Sequence, residues 1–325
     1  MTGHGRGVDS AMNADRPAKT AIRSLWADVV AQEKTGLVAG QPLYLTLCGA
    51  AAKDLLLLAE RGIITLTETR ALSAPDEALV AAVESSADGV LELQRTMPGL
   101  KVFQQRIEEM LRGSSPFSWP EGEARRWCRA KVVNLDFNSS LRGGLSGDWP
   151  QFPTLDVIDK LADLHTEPST QEWLLLLTLQ AQIQWPVELI QSVRGFLNDN
   201  FSHHQSFAEL CERFVGPVAF EDLVSGELPW ANLSSEAQQR VLMIFLPKAV
   251  ASRVRGRWRI EVEANIRYGG EPGTGSAPMC SWVIRFARDA RAVNANDAYL
   301  GALNSAVSRP QYIQADGTFH LDRAV

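Results

Sequence analysis

Cysteine is scarce and scattered in this 325-residue sequence. Cys48, Cys128, Cys211 and Cys280 lie far apart, with no CxxC pair and no Cys/His cluster. That spacing excludes a zinc-finger ligand set and offers no disulfide framework, so the expectation is reduced thiols in a cytoplasmic protein. The five histidines are also dispersed. The adjacent pair His203-His204 cannot point one way on a helix, so no metal is expected. No apolar run reaches about eighteen residues, which excludes a membrane-spanning helix as an expectation. There is no GxSxG nucleophile elbow and no GxxxxGK[ST] phosphate loop. Positive charge is not in excess: the net charge is −6, so a broadly basic nucleic-acid surface is not expected. One short basic run, RVRGRWR at 253–259, either contacts phosphates or blunts an exposed edge strand.

What the chain does have is a large apolar share, 45%, enough for a sizeable core. Residues 1–20 are polar and Gly-containing and read as a disordered leader, with Met12 as an alternative start. A helical face follows at Ile22, Leu25, Trp26, Val29 and Val30. Four short, continuously apolar runs then predict strands: LYLTL from 43, ALVAAVE ending at Glu84, LKVF from 100, and AKVVNLDF reaching Asp136. A fifth is EWLLLLTLQAQ. Strands that are apolar throughout, rather than alternating, are covered by helices on both faces. Helical segments lie between them, so the pattern predicts a parallel α/β sheet with right-handed crossovers. Residues 186–255 read as mostly helical. RWRIEVEANIRY and MCSWVIRFARD, joined by YGGEPGTGSAP, predict a hairpin. Residues 291–325 show weak periodicity and read as a surface tail.

In an open α/β sheet, ligands bind beyond the carboxyl ends of the strands. Cys48-Gly49, Glu84, Gln105 and Asp136 all fall at such ends. A carboxylate closing the second strand can accept hydrogen bonds from both hydroxyls of a ribose. Each residue also has a plainer reading: Glu84 as a solvated strand end, Gly49 as a tight turn, Asp136 as a loop cap.

LYLTLCGAAAKDLLLL, VAAVESSADGVLELQRTMPGLKVFQQRIEEML and AKVVNLDFN, taken in this order, resemble the first four motifs of class I S-adenosylmethionine-dependent methyltransferases. The resemblance covers roughly residues 40–290. It is strongest to poorly characterised bacterial methyltransferase-like proteins, some found beside antiviral-defence or mobile-element genes. It implies a Rossmann-like, mostly parallel seven-stranded sheet with a C-terminal antiparallel hairpin and a helical insertion at about 186–255, all within one domain over 21–290. It further implies S-adenosylmethionine as cofactor. Cys48 and Gly49 would approach the methionine part, Glu84 would hold the ribose, Ser85 would sit beside the adenosine, and Gln105 would contact the adenine amine. Asp136 would be the catalytic base or orienting group, assisted by Asn138, with Asn134 nearby. The acceptor would be a macromolecule, nucleic acid or protein, or a small molecule.

The chain also departs from that pattern. The first motif has one glycine, Thr46 stands near the place of the usual acid, and alanines fill 50–52. Gln105-Arg106 replaces the acid of the third motif, and no Asn/Asp-Pro-Pro-aromatic box follows the fourth strand. The alternative expectation is therefore a catalytically eroded, methyltransferase-like scaffold that binds a protein partner, in a bacterial defence system.

Overall fold

The computed structural model describes residues 17–112, 121–137, 153–167, 170–181, 187–225, 233–270, 277–288, 306–307 and 309–322. All nine described strands join one sheet, in the order β3-β2-β1-β4-β5-β7-β6-β8-β9. They are β1 (Tyr44–Thr46), β2 (Val80–Glu84), β3 (Lys101–Gln104), β4 (Val132–Asp136), β5 (Glu172–Gln180), β6 (Trp258–Tyr268), β7 (Met279–Arg288), β8 (Gln311–Ile313) and β9 (Phe319–Leu321). β1 to β5 run parallel, with β1 central between β2 and β4. β7 is antiparallel to both β5 and β6 and lies between them. The expected hairpin is therefore present.

The sheet is larger than the seven strands expected. β8 pairs parallel with the outer edge of β6, and β9 closes against β8. The surface tail expected over 291–325 is corrected here: Ile313 and Asp322 are buried. An unpaired β6 edge would expose a row of backbone donors and acceptors, and β8 covers its last three residues, Ile266 to Tyr268. Of the six residues of β8 and β9 only Ile313 is buried. Asp322 anchors them instead, accepting from Arg240 Nη2 at 2.7 Å and Arg267 Nε at 2.6 Å.

Helices cover both faces. On one, α1 (Pro17–Lys34), α2 (Lys53–Glu60), the single turn α3 (Ala74–Glu77) and α4 (Ala87–Thr96) belong to the first part of the chain. Ile22, Trp26 and Val30 of α1 pack there with Leu55, Leu93, Val132, Leu174 and Leu176. The expected leader over 1–20 is shortened at its end, because helix α1 already begins at Pro17.

The other face is covered by α5 (Ile107–Arg112), α6 (Glu121–Trp127), α7 (Pro153–Leu164), α8 (Val187–His203), α9 (Gln205–Val215), α10 (Pro217–Ser225) and α11 (Ser235–Val254). The last four make up the expected helical region between β5 and β6. Val133, Leu135, Leu175 and Leu177 point to this side, alternating with Val132, Leu174 and Leu176 on the other. That alternation explains why the strands are apolar at every position. α11 is buried almost all round from Gln238 to Ala251, because it lies between the sheet and the preceding helices.

Candidate functional site

β2, β1 and β4 are parallel neighbours, so their carboxyl ends share one edge of the sheet. With strands about 4.8 Å apart, Glu84 and Asp136 flank the β1 tip at a lateral separation of about 10 Å. Gln104 pairs with Glu84 across β2 and β3, which brings Gln105 to the same edge. The burial of Cys48 pushes its thiol well above the ordinary value, and the carboxylates of Asp54, Glu84 and Asp136 push the same way. Cys48 therefore lies within electrostatic reach of all three.

The turn after β1 is built from Gly49 and Ala52. Gly49 has φ +64°, and a Cβ there would meet nothing within 4 Å among the described residues. Ala52 adopts φ 48°, a left-handed conformation that alanine rarely takes, and it caps α2 without a side-chain bond. This delivers Asp54, in the first turn of α2, beneath the strand tip. Asp54 Oδ2 accepts from Thr46 Oγ1 at 2.7 Å and Tyr44 Oη at 3.0 Å. Asn134 Nδ2 donates to Tyr44 Oη at 2.7 Å. Burial raises the Asp54 carboxyl above its ordinary value, opposed by the bonds from Thr46 and Tyr44. Asp54 Oδ1 and Asn134 Oδ1 are buried without a partner among the described residues. Asn134 thus sits within a buried network under the tips rather than at the rim.

A buried acid thus stands beside Thr46, contributed by the first turn of the following helix and not by the strand itself. Sequence reading passed over Asp54 because an acid in a helix's first turn is ordinary: it complements the helix dipole. The signal lay in its company, Tyr44 and Thr46 spaced to put two hydroxyls on one face of β1.

Glu84 Oε1 accepts from the backbone N–H of Ser86 at 2.8 Å. Ser86 caps α4 by accepting from Gly89 N–H at 3.0 Å. A Cβ on Gly89 would come within 2.8 Å of Glu84 Cγ, so the glycine makes room for the carboxylate to fold over the helix start. Ser85 is exposed. Gln105 is only 4% exposed, and both its Oε1 and Nε2 are unpartnered among the described residues. Asn138 lies outside the described residues.

Asp136 is met by a residue that the sequence reading had assigned to the leader. Lys19 Nζ lies 2.6 Å from Asp136 Oδ1, 3.5 Å from Tyr268 Oη and 4.9 Å from the centre of the Trp26 ring. Burial pulls the Lys19 ammonium below its ordinary value, while Asp136 opposes the shift. Tyr268, at the end of β6, is pushed well above its ordinary value by burial and by the Asp136 charge.

The basic run 253–259 is largely spoken for. Arg257 pairs with Asp159 and Asp163, and Arg253 with Asp156, all on α7. Among the described residues no group of three His, Cys, Asp or Glu side chains could hold a metal ion, and no helix is long and apolar enough to cross a membrane. A cleft of about 610 Å³ lined by Leu56, Glu60, Thr65 and Arg70 lies beyond the far end of α2, away from the strand tips. No family model matches the chain, and no curated protein matches it.

Proposed function

We propose that the chain binds S-adenosylmethionine across the tips of β1, β2 and β4 and transfers its methyl group. The observation that carries this reading is Gln105. A buried amide with neither donor nor acceptor satisfied is costly in an isolated fold. A purine edge offers the complementary acceptor and donor. The residues at the tips fit the rest of the molecule. Ser86 holds Glu84 Oε1, and Oε2 would accept from ribose hydroxyls. The amino-acid end would lie against Gly49, where a Cβ would meet nothing within 4 Å among the described residues. The insertion of β7 antiparallel between β5 and β6 supports the resemblance.

When bound, the cofactor supplies an already activated methyl group. The protein's part is alignment and proton handling. Asp136 is the proton acceptor, and it stands at the tip next to β1, beside Tyr268 and Lys19. A second reading, a partner-binding scaffold without turnover, is favoured by the alanines at 50–52 and by the occupation of Asp136 by Lys19.

Calorimetry with S-adenosylmethionine and S-adenosylhomocysteine separates the two. The expected result is saturable binding that Glu84→Ala and Gln105→Ala each weaken by about tenfold or more. Absence of binding to the folded wild type at millimolar ligand overturns the methyltransferase reading in favour of the scaffold.

A further inference from the structure

Lys19 has surroundings richer than an ion pair requires. A carboxylate alone neutralises an ammonium. Here the same nitrogen also faces the Trp26 ring at 4.9 Å and the Tyr268 hydroxyl at 3.5 Å. An aromatic face next to a carboxylate is the environment that holds an alkylated ammonium, whose charge is spread over its methyl groups. The nitrogen is also held in place. α1 begins at Pro17, and the β8–β9 turn at Gly317 packs against the Pro17 carbonyl. Burial lowers the ammonium's hold on its proton, which makes the neutral amine more accessible than on a surface lysine.

We propose that Lys19 is itself a methyl acceptor, an intramolecular modification site presented to Asp136 by the first turn of α1. The proposal rests on the reading that the strand tips hold a sulfonium methyl donor. Nζ gives one proton to the Asp136 carboxylate, and its freed lone pair forms the new bond to the methyl carbon. The methyl–sulfur bond breaks with its electron pair left on sulfur, so the sulfonium becomes a neutral thioether. Lys19 becomes an N-methylammonium still facing Trp26 and Tyr268. An arginine at this position keeps the charge and lacks the amine lone pair.

The test uses the full chain, incubated with methyl-labelled S-adenosylmethionine and digested for mass spectrometry. The peptide carrying Lys19 is expected to gain the mass of one or more CH2 groups at that residue, at a rate independent of protein concentration. Lys19→Arg is expected to lose the label while keeping a cooperative melting transition and cofactor binding, and Asp136→Asn is expected to lose the label while remaining folded by circular dichroism. A second readout needs no cofactor: the pH profile of Lys19 acylation by acetic anhydride. Its midpoint is expected below that of the exposed Lys160, and lower still in Asp136→Asn. Cofactor binding with no label at Lys19 overturns this inference and leaves the reading of the site standing. Absence of cofactor binding overturns both. An acylation midpoint equal to that of Lys160 overturns the inference by itself.

Discussion

Lys19 and Asp136 are 117 residues apart in the chain and 2.6 Å apart in space. The pair joins the first turn of the first described helix to the tip of the fourth strand. Both side chains are less than a fifth exposed, so solvent screens the pair only in part. A double-mutant cycle with Lys19→Met and Asp136→Asn is expected to give a coupling energy of about 1–2 kcal/mol by urea denaturation. A coupling indistinguishable from zero would make the contact incidental to stability.

Gly89 and Glu84 give a prediction in which stability and binding part company. Alanine is favoured over glycine inside a helix by about 1 kcal/mol. A Cβ at 89, however, would lie 2.7 Å from Glu84 Cδ, and the flexible carboxylate has to swing away. Gly89→Ala should therefore melt no lower than wild type while weakening nucleoside binding as much as Glu84→Ala does. Thermal melting and calorimetry on the same samples check this; unchanged affinity would remove Glu84 from the site.

His165 predicts a pH dependence away from the site. Its two ring nitrogens face carbonyls, Leu161 O at 2.8 Å and Ala130 O at 3.0 Å, and the ring stacks on Trp173. Burial holds it neutral, lowering it from 6.5 to about 4 against the pull of both carbonyls. The unfolded chain therefore binds the proton first as pH falls. The neutral ring's contribution is complete above pH 6.5 and is lost as pH drops toward 4, by about 3 kcal/mol in total. Urea midpoints should fall between pH 6.5 and 5 in wild type and fall less in His165→Gln. Equal slopes would refute the assignment.

Asp322 is the anchor of the two added strands. Burial alone would raise its carboxyl, but Arg267 and Arg240 together hold it below the usual carboxylate value. Its contribution is thus present above about pH 4 and lost as pH falls through the lowered native value. Asp322→Ala removes the buried carboxylate that Arg240 and Arg267 share, leaves them only the half-exposed Glu236, and should cost about 3 kcal/mol. Hydrogen exchange is the discriminating measurement: protection of the Ile313 and Leu321 amides should collapse while that of β4 and β5 persists.

The central strands were legible because their chemistry is local. A run such as EWLLLLTLQ can be buried on both faces only as an interior strand, and β5 forms over those residues. β8 and β9 were not legible, since two three-residue strands with one buried side chain between them carry no periodic signal. The ion pairs of Asp322, with partners 55 and 82 residues away, define them instead. Glu84 and Asp136 could be placed at strand ends from the sequence, but not their engagements. That Glu84 turns back onto Ser86 depends on the small residue at 89. That Asp136 meets Lys19 depends on where α1 crosses the sheet.

By itself, then, the order of apolar runs determined a layered α/β chain with its polar candidates at strand ends, because burial on two faces and the carboxyl-end rule are consequences of short-range pattern. Tertiary structure alone decided which of those candidates have company. Asp54 under Thr46, the Gln105 amide unpartnered among the described residues and the lysine against Asp136 are all set by how the helices and loops pack on the sheet, and the last joins segments 117 residues apart.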